Sequence, residues 1–139
     1  PNDKTNVTYY GYGPYESYSD KHRASWVDRF DTTVDDMFED YVFPQENGSH
    51  YNCQYASVGN LFAKGKKPFS FQASRYSEKE LDEKAHNFEL VPSDGIYVAL
   101  DYKQSGIGSN SCGPRLAEKY QLREEKIEWE ISIRFDNKN

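Results

Sequence analysis

Lys126-Ile-Glu-Trp-Glu-Ile-Ser-Ile-Arg-Phe135 alternates apolar and polar residues without a break, with Ile127, Trp129, Ile131, Ile133 and Phe135 on one side and mostly charged residues between them. Successive side chains of a β-strand point to opposite faces, so this period of two predicts an antiparallel strand with one face on a core and one in water. Other runs read the same way. Val7-Thr-Tyr-Tyr10 predicts a strand, as does Ser25 to Val34, where Trp26, Phe30, Thr32 and Val34 share a face. Tyr51 to Val58 predicts another, with Tyr51, Cys53 and Tyr55 on one side, and Ile96 to Tyr102 resumes strand character. Asn60 to Ala63 and Phe69 to Ala73 flank Lys64-Gly-Lys-Lys-Pro68 as the arms of a hairpin would, which makes the basic run a solvated turn. Asp35-Asp-Met-Phe38 fits neither period.

One helix interrupts the strands. Ser77-Glu-Lys-Glu80 has the Ser-x-x-Glu pattern in which each side chain satisfies a free backbone N–H at a helix start. Leu81 and Ala85 follow at helical spacing. The expected class is all-β with a single short helix.

The length of 139 residues fits one domain, spanning 1–139, with a sizeable core. A net charge of −6 opposes nucleic-acid binding, which needs clustered Lys and Arg against phosphate. No apolar stretch approaches the roughly 20 residues that span a bilayer, so no membrane partner is expected. Tyr supplies 12 residues, and its flat apolar ring with a polar tip suits sugar contact, protein interfaces and β-sandwich rims equally. Cys53 and Cys112 are too few for a disulfide framework, and free thiols point to a cytoplasmic setting. The sequon at Asn47 lies within a turn-rich stretch that accounts for it without a glycan.

Three such stretches stand in fixed order: Tyr10-Gly-Tyr-Gly-Pro-Tyr-Glu-Ser-Tyr-Ser-Asp20, Phe43-Pro-Gln-Glu-Asn-Gly48 and Ser105-Gly-Ile-Gly-Ser-Asn-Ser-Cys-Gly-Pro114. Each mixes Gly or Pro with polar residues beside a strand, as ordered loops do. With Phe69-Ser-Phe-Gln-Ala-Ser-Arg-Tyr-Ser77, Glu80-Leu81, His86 and Tyr120-Gln-Leu122, they resemble the C-terminal (small-chain) domain of glycoside hydrolase family two β-galactosidases, from about Val7 to Phe135.

The resemblance implies a β-sandwich, the two-layer supersandwich related in fold to galactose mutarotases, of which this chain is the C-terminal half. It implies partners too: the catalytic barrel, the remaining domains of the parent enzyme and a galactoside substrate. An edge left open by the missing half invites pairing, including with a second copy. In the family the third loop reaches the sugar pocket, which places Asn110, Ser111 and Cys112 along the pocket and makes Gly106, Gly108, Gly113 and Pro114 the residues that shape the loop. In the best-known branch an indole stands where this chain has Cys112, and this chain is one residue shorter just before it. Cys112 offers only a soft apolar surface in its place.

Catalysis by this chain alone is not expected. Retaining glycoside hydrolysis needs two carboxyl groups about 5–5.5 Å apart, and the resemblance places that Glu pair on an upstream barrel. Glu16, Asp20, Glu46 and Asp101 are candidates by residue type only, and Glu46 is expected to hold its turn through backbone amides. His22, His50 and His86 lack the close spacing of local metal motifs, so neither a metal nor a cofactor is expected. His86 is expected to pack or cap beside the C-terminus of the short helix, and Cys53 to be a small apolar filler. Two other functions stay open: a carbohydrate-binding module using surface aromatics, and an aldose-epimerase-like enzyme using a His acid and a carboxylate base.

Overall fold

A computed structural model of the chain describes residues 5–108 and 114–136. The strands are β1 (Asn6–Gly13), β2 (Trp26–Thr33), β3 (His50–Val58), β4 (Leu61–Ser74), β5 (Tyr97–Asp101) and β6 (Ile131–Phe135), and the helix α1 spans Glu78–Glu83. They form one antiparallel sheet in the order β2-β1-β3-β4-β5, with β6 also on β4. This is the expected all-β class with one short helix. The described residues supply one layer of sheet.

Alternation builds the core face. Val7, Tyr9, Gly11 and Gly13 of β1 point inward while Thr8, Tyr10 and Tyr12 are only partly covered. From β3 and β4 come Cys53, Ala56, Val58, Ala63, Phe69, Phe71 and Ala73, with Val34 and Met37 closing over them. Gly11 is required by space, because a Cβ there would collide with Cys53 Sγ and lie 2.9 Å from its Cα. Aromatic rings dominate the interior: Tyr9 lies with its ring centroid 4.3 Å from that of His50 and 5.3 Å from that of Phe71. The opposite face carries a second aromatic row, in which Tyr12 stacks on Tyr51 and Tyr10 on Tyr55.

The basic run is no hairpin turn. Residues 61–74 form one continuous strand, and Lys64 to Pro68 lie inside it. The hairpin sits one step earlier, where Val58 pairs with Leu61 across Gly59 and Asn60. Gly59 has φ +58°, which a two-residue hairpin turn needs and which Gly adopts without a Cβ clash. On its outer edge β4 then serves two neighbours in turn, β6 along Leu61 to Gly65 and β5 along Ser70 to Ser74.

Further expectations are corrected. Tyr51, Cys53 and Tyr55 do not share a face: the β3–β4 register shifts on both sides of Cys53, and Asn52 has φ +57°. These bulges turn Cys53 inward while both tyrosines stay on the outer face. Ser77 caps α1 by accepting from Glu80 N–H at 3.0 Å, but Glu80 Oε1 accepts from Val91 N–H at 2.9 Å. The helix ends at Glu83, so only Leu81 is buried and Ala85 stays exposed. His86 begins the following 3₁₀ turn, its N–H held by the Glu89 carboxylate at 2.8 Å. The last strand is also shorter than its alternation, since regular pairing begins at Ile131. Trp129 still packs against the core from the preceding segment.

Candidate functional site

The three turn-rich stretches are brought together beyond the ends of β1 and β3. The first leaves β1 at Gly13 and is fixed to the start of β3 by Ser17. The Ser17 N–H donates to Ser49 O at 2.7 Å. Its hydroxyl donates to Tyr12 O at 3.2 Å and accepts from Tyr51 N–H at 2.9 Å. Backbone groups freed by the turn are thereby satisfied inside the protein.

Glu16 is the charged centre of this joint. Its side chain is only 6% exposed. One carboxylate oxygen accepts from Lys21 Nζ and Tyr41 OH, and the other from Gly48 N–H at 3.0 Å. Burial alone would raise its pKa, but these hydrogen bonds outweigh it and hold the carboxyl below its ordinary value. Lys21 is raised in return, its partial burial being outweighed by Glu16. Gly48, at the end of the second stretch, has φ +72°, and a Cβ there would run into Met37 O. A hollow of about 180 Å³ opens over the pair, with Tyr15, His22 and Tyr41 among its walls.

Glu16 thus performs the role expected of Glu46. Glu46 accepts from Tyr18 OH at 2.9 Å. Burial of its carboxyl end pushes its pKa up, and Glu16, Asp101 and Glu78 add to the rise. Asn47 is buried, its Oδ1 accepting from Glu39 N–H at 3.0 Å and its Nδ2 donating to Gln45 O at 2.9 Å. Its sequon is therefore a structural turn.

Asp20 joins the first stretch to the third. One carboxylate oxygen accepts from Ile107 N–H at 3.1 Å and the other from Gly108 N–H at 2.9 Å. Gly106 passes so close that a Cβ would collide with the same carboxylate. The loop base is tied again where Gly106 N–H donates to Tyr120 O at 2.9 Å and Leu122 N–H to Ser105 Oγ at 3.2 Å. The sheet contributes through Asp101, which accepts from Gln104 Nε2 at 2.9 Å, while Gln104 Oε1 accepts from Ser49 Oγ at 3.2 Å. Burial raises the Asp101 pKa.

Asn110, Ser111, Cys112 and Gly113 lie outside the described residues. What is visible is their platform: Ile107 and Gly108 held by Asp20 on one side, and Pro114 exposed on the other. The four candidate carboxylates each have a hydrogen-bonding partner that fixes a loop. Sequence reasoning missed Asp20 as a clamp and Glu16 as a hub, because their partners lie 87 and 32 residues away. The local signal was an acidic side chain within a turn-rich stretch, where a carboxylate commonly meets backbone N–H groups.

His22 and His50 serve the fold. His50 Nδ1 donates to Tyr12 O at 3.0 Å, and burial lowers its pKa to about 4. His22 Nδ1 donates to Tyr18 O at 2.8 Å and its ring meets Tyr12 and Tyr51. Cys53 is a buried free thiol, pushed up in pKa by burial, which fits a filler. Among the described residues no group of three or more His, Cys, Asp or Glu is gathered as a metal site would require, and no helix is long and apolar enough to cross a membrane.

Comparison with known proteins adds to this picture. A family model described as beta galactosidase small chain matches residues 1–135. A beta-galactosidase from Actinobacillus pleuropneumoniae is 50% identical over 133 residues, covering 96% of this chain and 13% of its own length. One from Staphylococcus xylosus is 43% identical over 133 residues, with 93% and 13% covered. One from Photobacterium profundum is 34% identical over 135 residues, with 96% and 13% covered. The chain therefore spans about 13% of the length of these relatives. Three interlocked loops on an antiparallel sheet, in the order expected and with the family model matched almost from end to end, lead to one conclusion: the chain belongs to the beta galactosidase small chain family.

Proposed function

We propose that the chain completes the sugar pocket of a longer β-galactosidase and braces its catalytic barrel, the whole enzyme hydrolysing terminal β-galactosides with retention. The observation that carries this is the Asp20 clamp, which fixes Gly108 immediately before the segment 109–113. A loop that contributes to a pocket has to be held by its frame, since a misplacement of about 1 Å can cost 10²-fold in rate. Two carboxylate–amide bonds at the loop base provide that kind of hold. Asn110, Ser111 and Cys112 are then the residues proposed to border the sugar. The two reacting carboxyl groups belong to the barrel, outside this chain.

Cys112→Trp in the full-length enzyme tests the assignment. An added indole face is worth roughly 0.5–1.5 kcal/mol when it stacks on a ligand. KM or kcat is expected to change by a corresponding few-fold, up to about tenfold, with the thermal midpoint little moved. Unchanged kinetics with a lowered midpoint would place the loop in a purely structural role and sink the proposal.

A further inference from the structure

We infer that β6 is an acceptor edge, onto which polypeptide outside this chain lays an extended segment with alternating apolar side chains. The inference rests on the proposed place of the chain within a longer β-galactosidase and names one contact it makes there.

The backbone pattern decides which groups are free. Asp136 N–H donates to Asn60 O at 2.8 Å, and Lys66 N–H to Glu130 O at 3.3 Å. Hydrogen-bonded and non-bonded residues alternate along an antiparallel ladder. Ser132 and Arg134 therefore direct their N–H and C=O groups to β4. Ile131, Ile133 and Phe135 direct theirs to the other side, where the described residues supply no strand. The side chains of the same three residues stand opposite Gly65, Ala63 and Leu61, on the core face. Ile131 packs against the core, but Ile133 is 48% and Phe135 66% exposed.

Free peptide groups and uncovered apolar side chains thus coincide on the same residues. Solitary edges are normally blunted by an inward charge, a proline or a bulge. Nothing of that kind stands at 131–135: Arg134 lies on the other face, over the ring of Phe62. One added strand would bond the outward N–H and C=O groups and cover Ile133 and Phe135 together.

The occupant is assigned to the rest of the parent polypeptide for two reasons. Relatives carry most of their length outside the matched segment, which is 13% of it. Pairing β6 with a second copy about Ile133 would set Glu130 opposite the other copy's Asp136, and like charges directly opposite are unfavourable.

Hydrogen exchange of the full-length protein, resolved to single amides by mass spectrometry, tests the inference. The amides of Ile131, Ile133 and Phe135 are expected to exchange at least about 100-fold slower than a free peptide, as those of Ser132 and Arg134 do. Exchange at the three within about tenfold of the free rate, with Ser132 and Arg134 protected, overturns it. Protection that vanishes on dilution to the monomer assigns the edge to a second copy and overturns the occupant named here. A native product no larger than this chain on an immunoblot would instead remove the longer enzyme itself.

Discussion

The two ends of the sheet are built on opposite terms. Beyond Gly13 and His50, the loops close on themselves: Glu16 has three donors, Ser17 bonds three backbone groups and Asp20 clasps two amides. At β6 the peptide groups of alternate residues face outward and the apolar side chains beside them are half in water. The difference teaches where each end finds its partners. Among the described residues the loop end is tied together by this chain's own side chains, and the outer edge of β6 is left for another segment to pair with. Sensitivity to substitution should divide the same way.

Glu16→Ala is expected to be the most costly change. It strands the buried Gly48 N–H and removes the acceptor shared by Lys21 and Tyr41, and breaking a buried charged contact costs roughly 3–5 kcal/mol. Lys21, half in solvent, rehydrates and keeps the loss near the lower figure. A urea midpoint unchanged within error would show that the loop end is held by other means.

Acid comes next and acts on the same end. The unfolded His50 imidazole takes a proton near pH 6.5 and the folded one only near about 4. Between these values the unfolded state binds more protons, so stability falls as pH falls. The loss reaches roughly 3 kcal/mol by pH 4. Glu16 acts in the same direction, because its lowered carboxyl contributes above its unfolded value and loses that contribution as pH drops through its folded one. A His50→Phe variant should flatten the upper part of this slope in urea titrations at stepped pH.

Gly11→Ala should cost roughly 1–3 kcal/mol by overpacking against Cys53. A thermal midpoint at or above the wild-type value would mean that β1 and β3 can separate without loss. Phe135→Ser, at the open end, should alter the stability of the excised chain by less than about 0.5 kcal/mol. A larger loss there would erase the contrast between the two ends.

Much of this division was legible in the sequence. Val7 and Tyr9 show the period of β1, and Ile131, Ile133 and Phe135 show that of β6. Reading β3 failed at Asn52, because a bulge adds a residue and reverses the alternation that a period-two argument assumes. Reading β4 failed at Gly65 and Pro68, which signal a turn locally while the neighbouring strands hold them in one line. The Gly59-Asn60 pair carried a true hairpin signal beside that false one. The three stretches could be ordered in the chain but not joined, since no local rule says which backbone amides Asp20 will meet 87 residues later.

The double service of β4 has a consequence for biosynthesis. Lys66 and Glu130, neighbours across the β4–β6 boundary, are 64 residues apart in the chain. At about 5–20 residues per second, a ribosome takes roughly 3–13 s to travel between them. Throughout that interval the first half of β4 can hold β3 on one side while β6, its outer neighbour, is still unmade. Long-range pairing of this kind is slow even after its residues are available. The nascent polypeptide therefore passes through a stage with one edge of half of its longest strand bare, when a chaperone that covers extended segments would find its longest opportunity.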